Sequence, residues 1–117
     1  MPTDTHCFSD DLRRFEVWLV NLDPTMGKEI KKTRPCFIIS PDEANKYLDT
    51  IIAAPMTTTI RNYPTRVNCR FKNKGGQIAL DQLRSMDKIR LVKKLGKLNE
   101  DTCKEACEIL VEYFTFL

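Results

Sequence analysis

The chain has 117 residues, of which 42% are hydrophobic and 30% are charged, and its formal net charge at pH 7 is +3. This length and composition suit one folded domain with a packed core and argue against intrinsic disorder. No stretch approaches the ~20 apolar residues that a membrane-spanning helix needs, and the polar segment 1–11 has no signal-peptide core, which favours the cytoplasm. The five cysteines include no C-x-x-C pair, so neither a disulfide framework nor a zinc site is expected.

Short strands dominate the predicted elements. Residues 1–12 lack periodicity, so we expect a flexible tail there and a single domain at 13–117. Apolar alternation and apolar runs predict strands at 15–22, 35–40, 50–54, 56–62, 65–71, 77–80 and 82–86. Pro55 is expected to end the third of these strands, and residues 72–76, which end in two glycines, are expected to form a turn. The basic segment 87–96 has turn-like ends.

A helix is predicted near the C-terminus. Asn99 is the candidate N-cap, and two acidic residues follow it in the first turn, where they complement the helix dipole. Apolar positions then form a single stripe that we expect to pack on the strands: Cys103, Ala106, Cys107, Leu110, Val111 and Phe114. Short strands with turn signals and one helix indicate an all-β or α+β fold.

The stretch 25–40 combines a charged arm with the start of a buried strand. It begins with the turn residues 25–27, continues through three lysines and one glutamate, and ends with Arg34 and Pro35 at the entrance to the apolar run 36–39. An arginine held there suits phosphate, because the guanidinium fork binds oxyanions bidentately and stays charged. The alternative is that Arg34 pairs with a carboxylate and that the lysines are simply solvated.

Several phosphodiester-cleaving chemistries lack the residues that they need. The only histidine is His6, so a two-histidine ribonuclease mechanism within one chain is excluded. No H-E-x-x-H motif or cysteine cluster offers zinc, and the carboxylates at positions 42, 43, 81 and 87 are too scattered to indicate a two-metal site. If this chain cleaves phosphodiesters, we expect it to do so without a metal or another cofactor.

Three blocks of sequence stand in a fixed order along the chain. They are residues 17–25 (VWLVNLDPT) with 27–35 (GKEIKKTRP), residues 38–42 (IISPD) with 54–58 (APMTT) and 63–64 (YP), and residues 79–87 (ALDQLRSMD). In this order they resemble the MazF/PemK family of toxin endoribonucleases, from about residue 15 to the end of the chain. The resemblance implies a fold of the α+β class, mainly β: an SH3-like antiparallel β-barrel with a C-terminal helix.

The resemblance also implies an activity. Family members are toxins of type II toxin–antitoxin systems that cleave single-stranded RNA at specific sequences without metal, leaving 2′,3′-cyclic phosphate and 5′-hydroxyl ends. Arg34 would then neutralise the developing charge, and the Thr57 hydroxyl would bond a phosphate oxygen. Because arginine is a poor base, Glu29 on the arm is the candidate proton acceptor. Without the resemblance, Thr57 would be interpreted as a strand-end residue that caps backbone groups.

The candidate RNA-binding residues lie on three segments. They are Lys28, Lys31 and Lys32 on the arm, Thr58 and Arg61 after the third strand, and Asp81 and Gln82 in the last block. Gln82 either reads a base edge or forms a cross-strand hydrogen bond. The plasmid-borne branch of the family has a histidine at the position of Lys28 and an arginine at that of Ala79, so the acid and base of that branch cannot be carried over.

The resemblance further implies two protein partners. One is a cognate antitoxin whose acidic, disordered C-terminal segment lies across residues 28–34, and the other is a second copy of the chain in a homodimer. A different class of function is also open, because gyrase-poisoning toxins share this fold and act by protein–protein inhibition. Their helix ends on Trp-Gly-Ile, whereas this chain ends on YFTFL at 113–117, which together with Arg34 and Thr57 favours the endoribonuclease. A relative that binds RNA without cleaving it is a further alternative.

Overall fold

A computed structural model describes residues 12–116 of the chain. Its elements are β1 (Glu16–Asn21), β2 (Thr33–Ile38), α1 (Asp42–Tyr47), β3 (Thr50–Thr57), β4 (Arg66–Phe71), β5 (Lys74–Ala79), β6 (Arg84–Asp87), β7 (Leu91–Lys97) and α2 (Glu100–Tyr113), with short 3-10 turns at Leu80–Gln82 and Lys88–Arg90. The strands form a seven-stranded antiparallel sheet in the order β4-β5-β3-β2-β1-β7, with β6 paired to β3. The predicted fold class, mainly β with a C-terminal helix, is confirmed.

Strand β3 organises the sheet because it has three partners. One of its edges pairs with β2, with Pro55 opposite Cys36. The other edge is shared, since residues 50–53 pair with β6 while Met56 and Thr57 pair with β5. A strand that passes from one partner to the next makes a corner between two parts of the sheet. This corner curls the sheet into the expected barrel-like shape.

Apolar side chains cover both faces of the sheet, because successive strand residues point to opposite sides. On β1, Val17 belongs to one buried cluster and Trp18 belongs to the other. Cys103 and Ala106 of α2 complete the cluster of Val17. The helix therefore closes one face of the curled sheet.

The C-terminal helix begins as predicted but packs over only part of its length. The Asn99 side chain caps it by accepting a backbone hydrogen bond of 2.8 Å. Cys103 and Ala106 are buried, whereas Val111 and Phe114 are each 69% exposed. The predicted stripe is therefore wrong in its last turn, where the helix overhangs an open apolar groove between α1 and β3.

Pro55 does not end the third strand, contrary to the prediction. Strand β3 continues to Thr57, with Pro55 lying between Ala53, the last residue paired with β6, and Met56, the first paired with β5. The N–H that proline lacks is therefore not needed for a ladder bond on that edge. Only residues 56–57 of the predicted strand 56–62 are extended sheet, and the rest is an irregular connection.

The turn between β4 and β5 also differs from the prediction. Phe71 pairs with Lys74, so the loop consists of Lys72 and Asn73, whose φ angles are 51° and 64°. Positive φ at both loop residues is the conformation that two-residue hairpins favour. The two glycines that were expected in this turn, at positions 75 and 76, belong to strand β5 instead.

The basic segment 87–96 contains a strand that the sequence did not reveal. After a 3-10 turn, Leu91–Lys97 forms β7 and pairs with β1. The register shifts at two points along this pairing. Each shift interrupts the alternation of inward and outward side chains, so the segment lacks the period of two from which strands are predicted.

Most of the predicted tail, residues 1–12, lies outside the described part of the chain. Leu12 is the exception, and its side chain is buried in the cluster that contains Trp18, so this residue is part of the core rather than of a tail. Within residues 12–116, no helix is long and apolar enough to cross a membrane.

Candidate active site

The arm between β1 and β2, residues 22–32, is tied to the body of the protein at several points. At its base, Leu22 N donates to Lys32 O over 3.0 Å, and Lys32 N donates to Asp23 Oδ1 over 2.8 Å. In its middle, Ile30 N donates to Gln82 Oε1 over 2.8 Å. The arm therefore has a defined path over the end of the sheet, and Gln82 bonds the arm rather than a neighbouring strand.

Arg34 and Thr57 lie at the same end of two neighbouring strands. The recorded pairing of β2 with β3 ends with Cys36 opposite Pro55, and Arg34 and Thr57, each two residues further along its strand, line the same two pockets. Two residues along a strand return to the same face, so both side chains share one side of the sheet. The predicted catalytic pair is thus brought together by strand pairing, although 23 positions separate the residues in the sequence.

Both side chains keep hydrogen-bond donors for a ligand. Arg34 is half-buried and its Nε donates to Lys31 O over 3.2 Å, while no described residue accepts a bond from its two terminal nitrogens. Thr57 Oγ1 accepts a bond of 3.1 Å from Thr59 N, which leaves the hydroxyl hydrogen free to donate. The strand-end capping role considered for Thr57 is therefore present, and it does not use up the hydroxyl.

The pair stands on the boundary between two pockets. The first, here called the apolar pocket, has a volume of about 190 Å³ and is lined by Arg34, Thr57, Met56, Thr58, Phe71 and Gly76, among others. The second, here called the cationic pocket, has a volume of about 480 Å³ and is lined by Arg34, Thr57, Lys28, Glu29, Arg61, Tyr63, Arg66, Asp81 and Gln82, among others. A chain of nucleotides passing over the pair would have a cavity on each side of the phosphate.

The charged residues of the arm take different positions. Lys28 and Glu29 line the cationic pocket, and Glu29 Oε1 accepts a bond of 2.8 Å from Met26 N. Lys31 and Lys32 are exposed beside Arg34 and line neither pocket. The predicted base therefore lies in the same cavity as Arg34 and Thr57, and one of its carboxylate oxygens is bonded to its own loop.

Asp81 is bound within the protein. Its carboxylate accepts bonds of 2.8 and 3.3 Å from Arg66 and one of 3.1 Å from Thr65. Partial burial opposes ionisation of this carboxyl, but the bonds from Arg66 outweigh it and hold the pKa of Asp81 below its usual value. Asp81 thus lines the cationic pocket as an anchored carboxylate, and its neighbour Gln82 holds the arm.

Several residues that shape the site were not found from the sequence. Gln77, which is only 4% exposed, donates to Arg61 O over 3.1 Å and accepts from Arg61 N over 3.0 Å. Tyr63 and Arg66 lie side by side in the wall of the cationic pocket. For Gln77, the one available signal was its place between the two glycines and the apolar end of β5, because an amide side chain is unusual at a buried strand position.

No group of three or more histidine, cysteine or acidic side chains within residues 12–116 is arranged to hold a metal ion. The four described cysteines, at positions 36, 69, 103 and 107, are all free thiols. Burial raises the pKa of the Cys69 thiol, which lies in the wall of the apolar pocket. The two pockets offer three guanidinium groups, hydroxyl groups, the carboxylates of Glu29 and Asp81, and the ammonium groups of Lys28 and Lys74.

Comparisons with known proteins agree on one family. The sequence model of the family described as "PemK-like, MazF-like toxin of type II toxin-antitoxin system" matches residues 13–114. The chain is 39% identical over 100 residues to an endoribonuclease MazF of Staphylococcus saprophyticus, which covers 80% of this chain and 83% of that protein. The crystal structure of MazF from Deinococcus radiodurans superposes with a TM-score of 0.78 at 24% identity, covering 87% of this chain and 94% of that one.

A second similar solved structure is that of a protein complex. It is a mycobacterial endoribonuclease in complex with its cognate antitoxin, with a TM-score of 0.75 at 21% identity, and it covers 91% of this chain and 99% of that one. At these identities the two structures establish the fold, while the family model and the staphylococcal relative establish descent. The family predicted from the three sequence blocks is thereby confirmed, and the chain belongs to the PemK-like, MazF-like toxins of type II toxin–antitoxin systems.

Proposed function

We propose that this toxin, an endoribonuclease of the MazF type, cleaves single-stranded RNA at the Arg34–Thr57 pair without a metal ion. The nucleophile is the 2′-hydroxyl of the substrate, whose oxygen bonds to phosphorus while the bond from phosphorus to the 5′-oxygen breaks. The departing 5′-oxygen takes up a proton from water, and the products are a 2′,3′-cyclic phosphate and a 5′-hydroxyl end. The observation that carries the proposal is the position of two side chains with unused donors on the boundary between two pockets. A phosphate seated there has room for a nucleotide on either side.

Arg34 and Thr57 stabilise the charge that develops on the phosphate. The two terminal nitrogens of Arg34 offer a fork that matches two phosphate oxygens, and the bond from its Nε to Lys31 O fixes the orientation of that fork. The Thr57 hydroxyl donates to an oxygen of the same phosphate. Donors that are oriented before the reaction begins lower the barrier without a cost of reorganisation.

Glu29 is the proton acceptor in this proposal. Its carboxylate shares the cationic pocket with the catalytic pair, and the bond from Met26 N to Oε1 leaves Oε2 to receive the proton of the 2′-hydroxyl. Lys28, Lys31, Lys32 and Arg61 hold the RNA backbone beside the site, because phosphate contacts position a nucleic acid without reading its sequence. Thr58 and Gln82 contact the nucleotides on the two sides of the cut, and Asp81 acts through the groups that it anchors.

The test is single-turnover cleavage of a long RNA whose cut sites have been mapped, performed in EDTA. We expect wild-type protein to leave cyclic phosphate ends and Arg34→Ala to cleave on the order of 10²–10³ more slowly, as for removal of one preorganised oxyanion donor. Arg34→Lys is expected to fail as well, because a point charge does not replace the fork. Thr57→Val keeps the shape and should lower turnover more than RNA binding.

Two controls accompany this experiment. Melting curves of each variant separate impaired chemistry from impaired folding, and incubation with gyrase and supercoiled DNA tests the protein–protein inhibitor of the same fold. Arg34→Ala protein that is folded and cuts at close to the wild-type rate would show that the site is assigned wrongly. Gyrase inhibition without RNA cleavage would replace the proposed function by the alternative.

The toxin acts in the cytoplasm, where mRNA and a cognate antitoxin are both present. The acidic C-terminal segment of that antitoxin lies across residues 28–34 and blocks the entry of RNA, since a cationic groove also accepts a carboxylate-rich peptide. Neutralisation should weaken as salt rises. An adjacent-gene product that binds tightly and leaves cleavage intact would contradict this occlusion.

The functional unit is a homodimer. Its interface includes the exposed apolar end of α2, where Val111 and Phe114 are each 69% exposed and Phe116 is 99% exposed. Val111 and Phe114 border the groove that also contains Ile52 of β3, and monomeric proteins seldom expose such continuous apolar surface. Light scattering should therefore report twice the mass of the chain at micromolar concentration, and Phe114→Glu should shift that mass toward the monomer.

A further inference from the structure

An exposed aromatic ring stands among the cations of the cationic pocket. Tyr63 is 49% exposed and shares the wall of this pocket with Lys28, Arg34 and Arg61. A large apolar ring on the surface usually reduces its exposure by packing against a neighbour, and here it remains half open to the cavity. The combination of a ring and several cations in one groove is typical of surfaces that bind single-stranded nucleic acid.

The ring is supported from one side by a cation that is itself immobilised. The Arg66 guanidinium carbon lies 5.1 Å from the Tyr63 ring centroid, within the range of a cation–π contact. The Arg66 side chain is only 6% exposed, because it is paired with Asp81. Thr65 supplies a further bond to the same carboxylate. The bonds from Nε and Nη2 of Arg66 to Asp81 thus hold the guanidinium in place beside the ring.

The backbone that carries the ring is also fixed before any ligand binds. The buried amide of Gln77 bonds both the N–H and the carbonyl of Arg61, two residues before the ring. Arg66 N donates to Tyr63 O over 3.1 Å and closes the turn that contains Pro64. A ring held in this way loses little conformational freedom when a ligand stacks on it, which favours affinity.

We propose that Tyr63 is the stacking platform for one unpaired nucleobase of the substrate, seated in the cationic pocket next to the scissile phosphate. The Asp81–Arg66 pair positions the ring, and Arg34 with Lys28 and Arg61 holds the phosphates that flank the stacked base. Stacking accepts any base, since every base has a π-face. This inference rests on the proposed function, because it assigns one nucleotide of the same RNA to one side of the Arg34–Thr57 pair.

The test uses a fluorescent RNA of about ten nucleotides that contains the mapped cut site, with a 2′-deoxy nucleotide at the cut so that binding is measured without cleavage. We expect Tyr63→Ala to bind roughly 5- to 150-fold more weakly, the usual effect of removing one stacking partner. Tyr63→Phe should retain affinity, while Tyr63→Leu, which still covers Arg66 with an apolar side chain, should not. Tyr47→Ala is the matched control, because Tyr47 is 74% exposed and also lies beside a lysine, Lys46, but borders neither pocket.

A scan with abasic nucleotides then identifies the stacked base. In wild-type protein, an abasic site at one position next to the cut should weaken binding about as much as Tyr63→Ala does, and the same site should have little further effect in that variant. Folded Tyr63→Ala protein that binds within about twofold of wild type, or that stays sensitive to every abasic position, would overturn the stacking role. Wild-type protein that cleaves no RNA would instead overturn the proposed function.

Discussion

Gly76 is the residue at which a single added carbon is expected to disturb the catalytic geometry most directly. A Cβ atom at this position would lie 2.6 Å from the Thr57 carbonyl oxygen and 3.4 Å from its carbonyl carbon. Both glycines of β5 lie in the wall of the apolar pocket, yet a Cβ at Gly75 would meet only the tip of the Arg70 side chain, at 3.7 Å. Gly76→Ala therefore pushes on the backbone of Thr57, and Gly75→Ala is its matched control.

The size of the effect follows from the distance that must open. Cβ atoms essentially never approach another heavy atom closer than 3.0 Å, and ordinary separations begin at 3.4 Å, so the two strands must separate locally by about 0.4–0.8 Å. A misplacement of about 1 Å in an active site costs on the order of 10² in rate. We therefore expect Gly76→Ala to cleave roughly 10- to 100-fold more slowly and to have an unfolding free energy about 1–3 kcal/mol lower through overpacking.

The assay is single-turnover cleavage at a temperature well below both melting points, together with RNA affinity measured on the 2′-deoxy substrate. Gly76→Ala should lower the cleavage rate more than the affinity, because the displaced residue carries the hydroxyl that is proposed to contact the reacting phosphate. Gly75→Ala should cleave and melt close to wild type. Equal cleavage rates for Gly76→Ala and wild type would refute the idea that the close approach of β5 to the Thr57 carbonyl constrains the site. Equal decreases in Gly76→Ala and Gly75→Ala would show that the effect is not transmitted through Thr57.

Three further predictions concern charge and ionisation. Lys31→Ala with Lys32→Ala should weaken RNA binding and reduce the slope of log K against log salt by about 0.7 for each phosphate that the protein no longer neutralises, whereas Lys104→Ala on α2 should leave that slope unchanged in a salt titration. Burial raises the pKa of the Cys36 thiol from 9.0 to about 12, and this effect exceeds the opposing one of the positive charge on Arg84. Alkylation at pH 8 should therefore spare this thiol. The unfolding free energy should fall as pH rises from 9 toward 12, because the thiol of the unfolded chain ionises first. The pKa of Asp81 is lowered from its usual value of 3.8. Its carboxylate therefore keeps its stabilising bonds at any pH above 3.8 and loses them only as the pH falls through the lower pKa of the folded protein. Affinity for the 2′-deoxy RNA should accordingly be the same at pH 5 and pH 7.

One local signal in the sequence was sufficient to predict the structure that it specifies. The cap at Asn99 depends on residues within one helical turn, and it was predicted correctly. Strand β7 depends on pairing with β1 across most of the chain, and two register shifts remove its alternation, so its seven residues show no recognisable pattern. The exposed last turn of α2 was missed for a similar reason, because an apolar stripe predicts burial but does not specify which surface provides it.

In the candidate site too, the roles that could not be predicted from the sequence are those that depend on contacts between distant residues. Arg34 and Thr57 were identified through a family resemblance, since neither residue type in its local sequence distinguishes catalysis from an ordinary strand end. The role of Asp81 as an anchor for Arg66 could not be read from the sequence, because 15 positions separate the two residues and only the pairing of β4 with β5 brings them together. Gln77 was missed because its amide bonds the backbone of a loop that has no regular structure.

The geometry of the pair depends on a residue that has no functional group of its own. Strand β3 continues through Pro55, which lies between the residues paired with β6 and those paired with β5, and it ends at Thr57. Gly76 then lets β5 approach the Thr57 carbonyl closely. A search for catalytic side chains alone would pass over Gly76, yet a substitution there should reduce cleavage while every proposed reacting group is still present. The order of the blocks in this sequence is therefore informative because it preserves backbone geometry as well as chemistry.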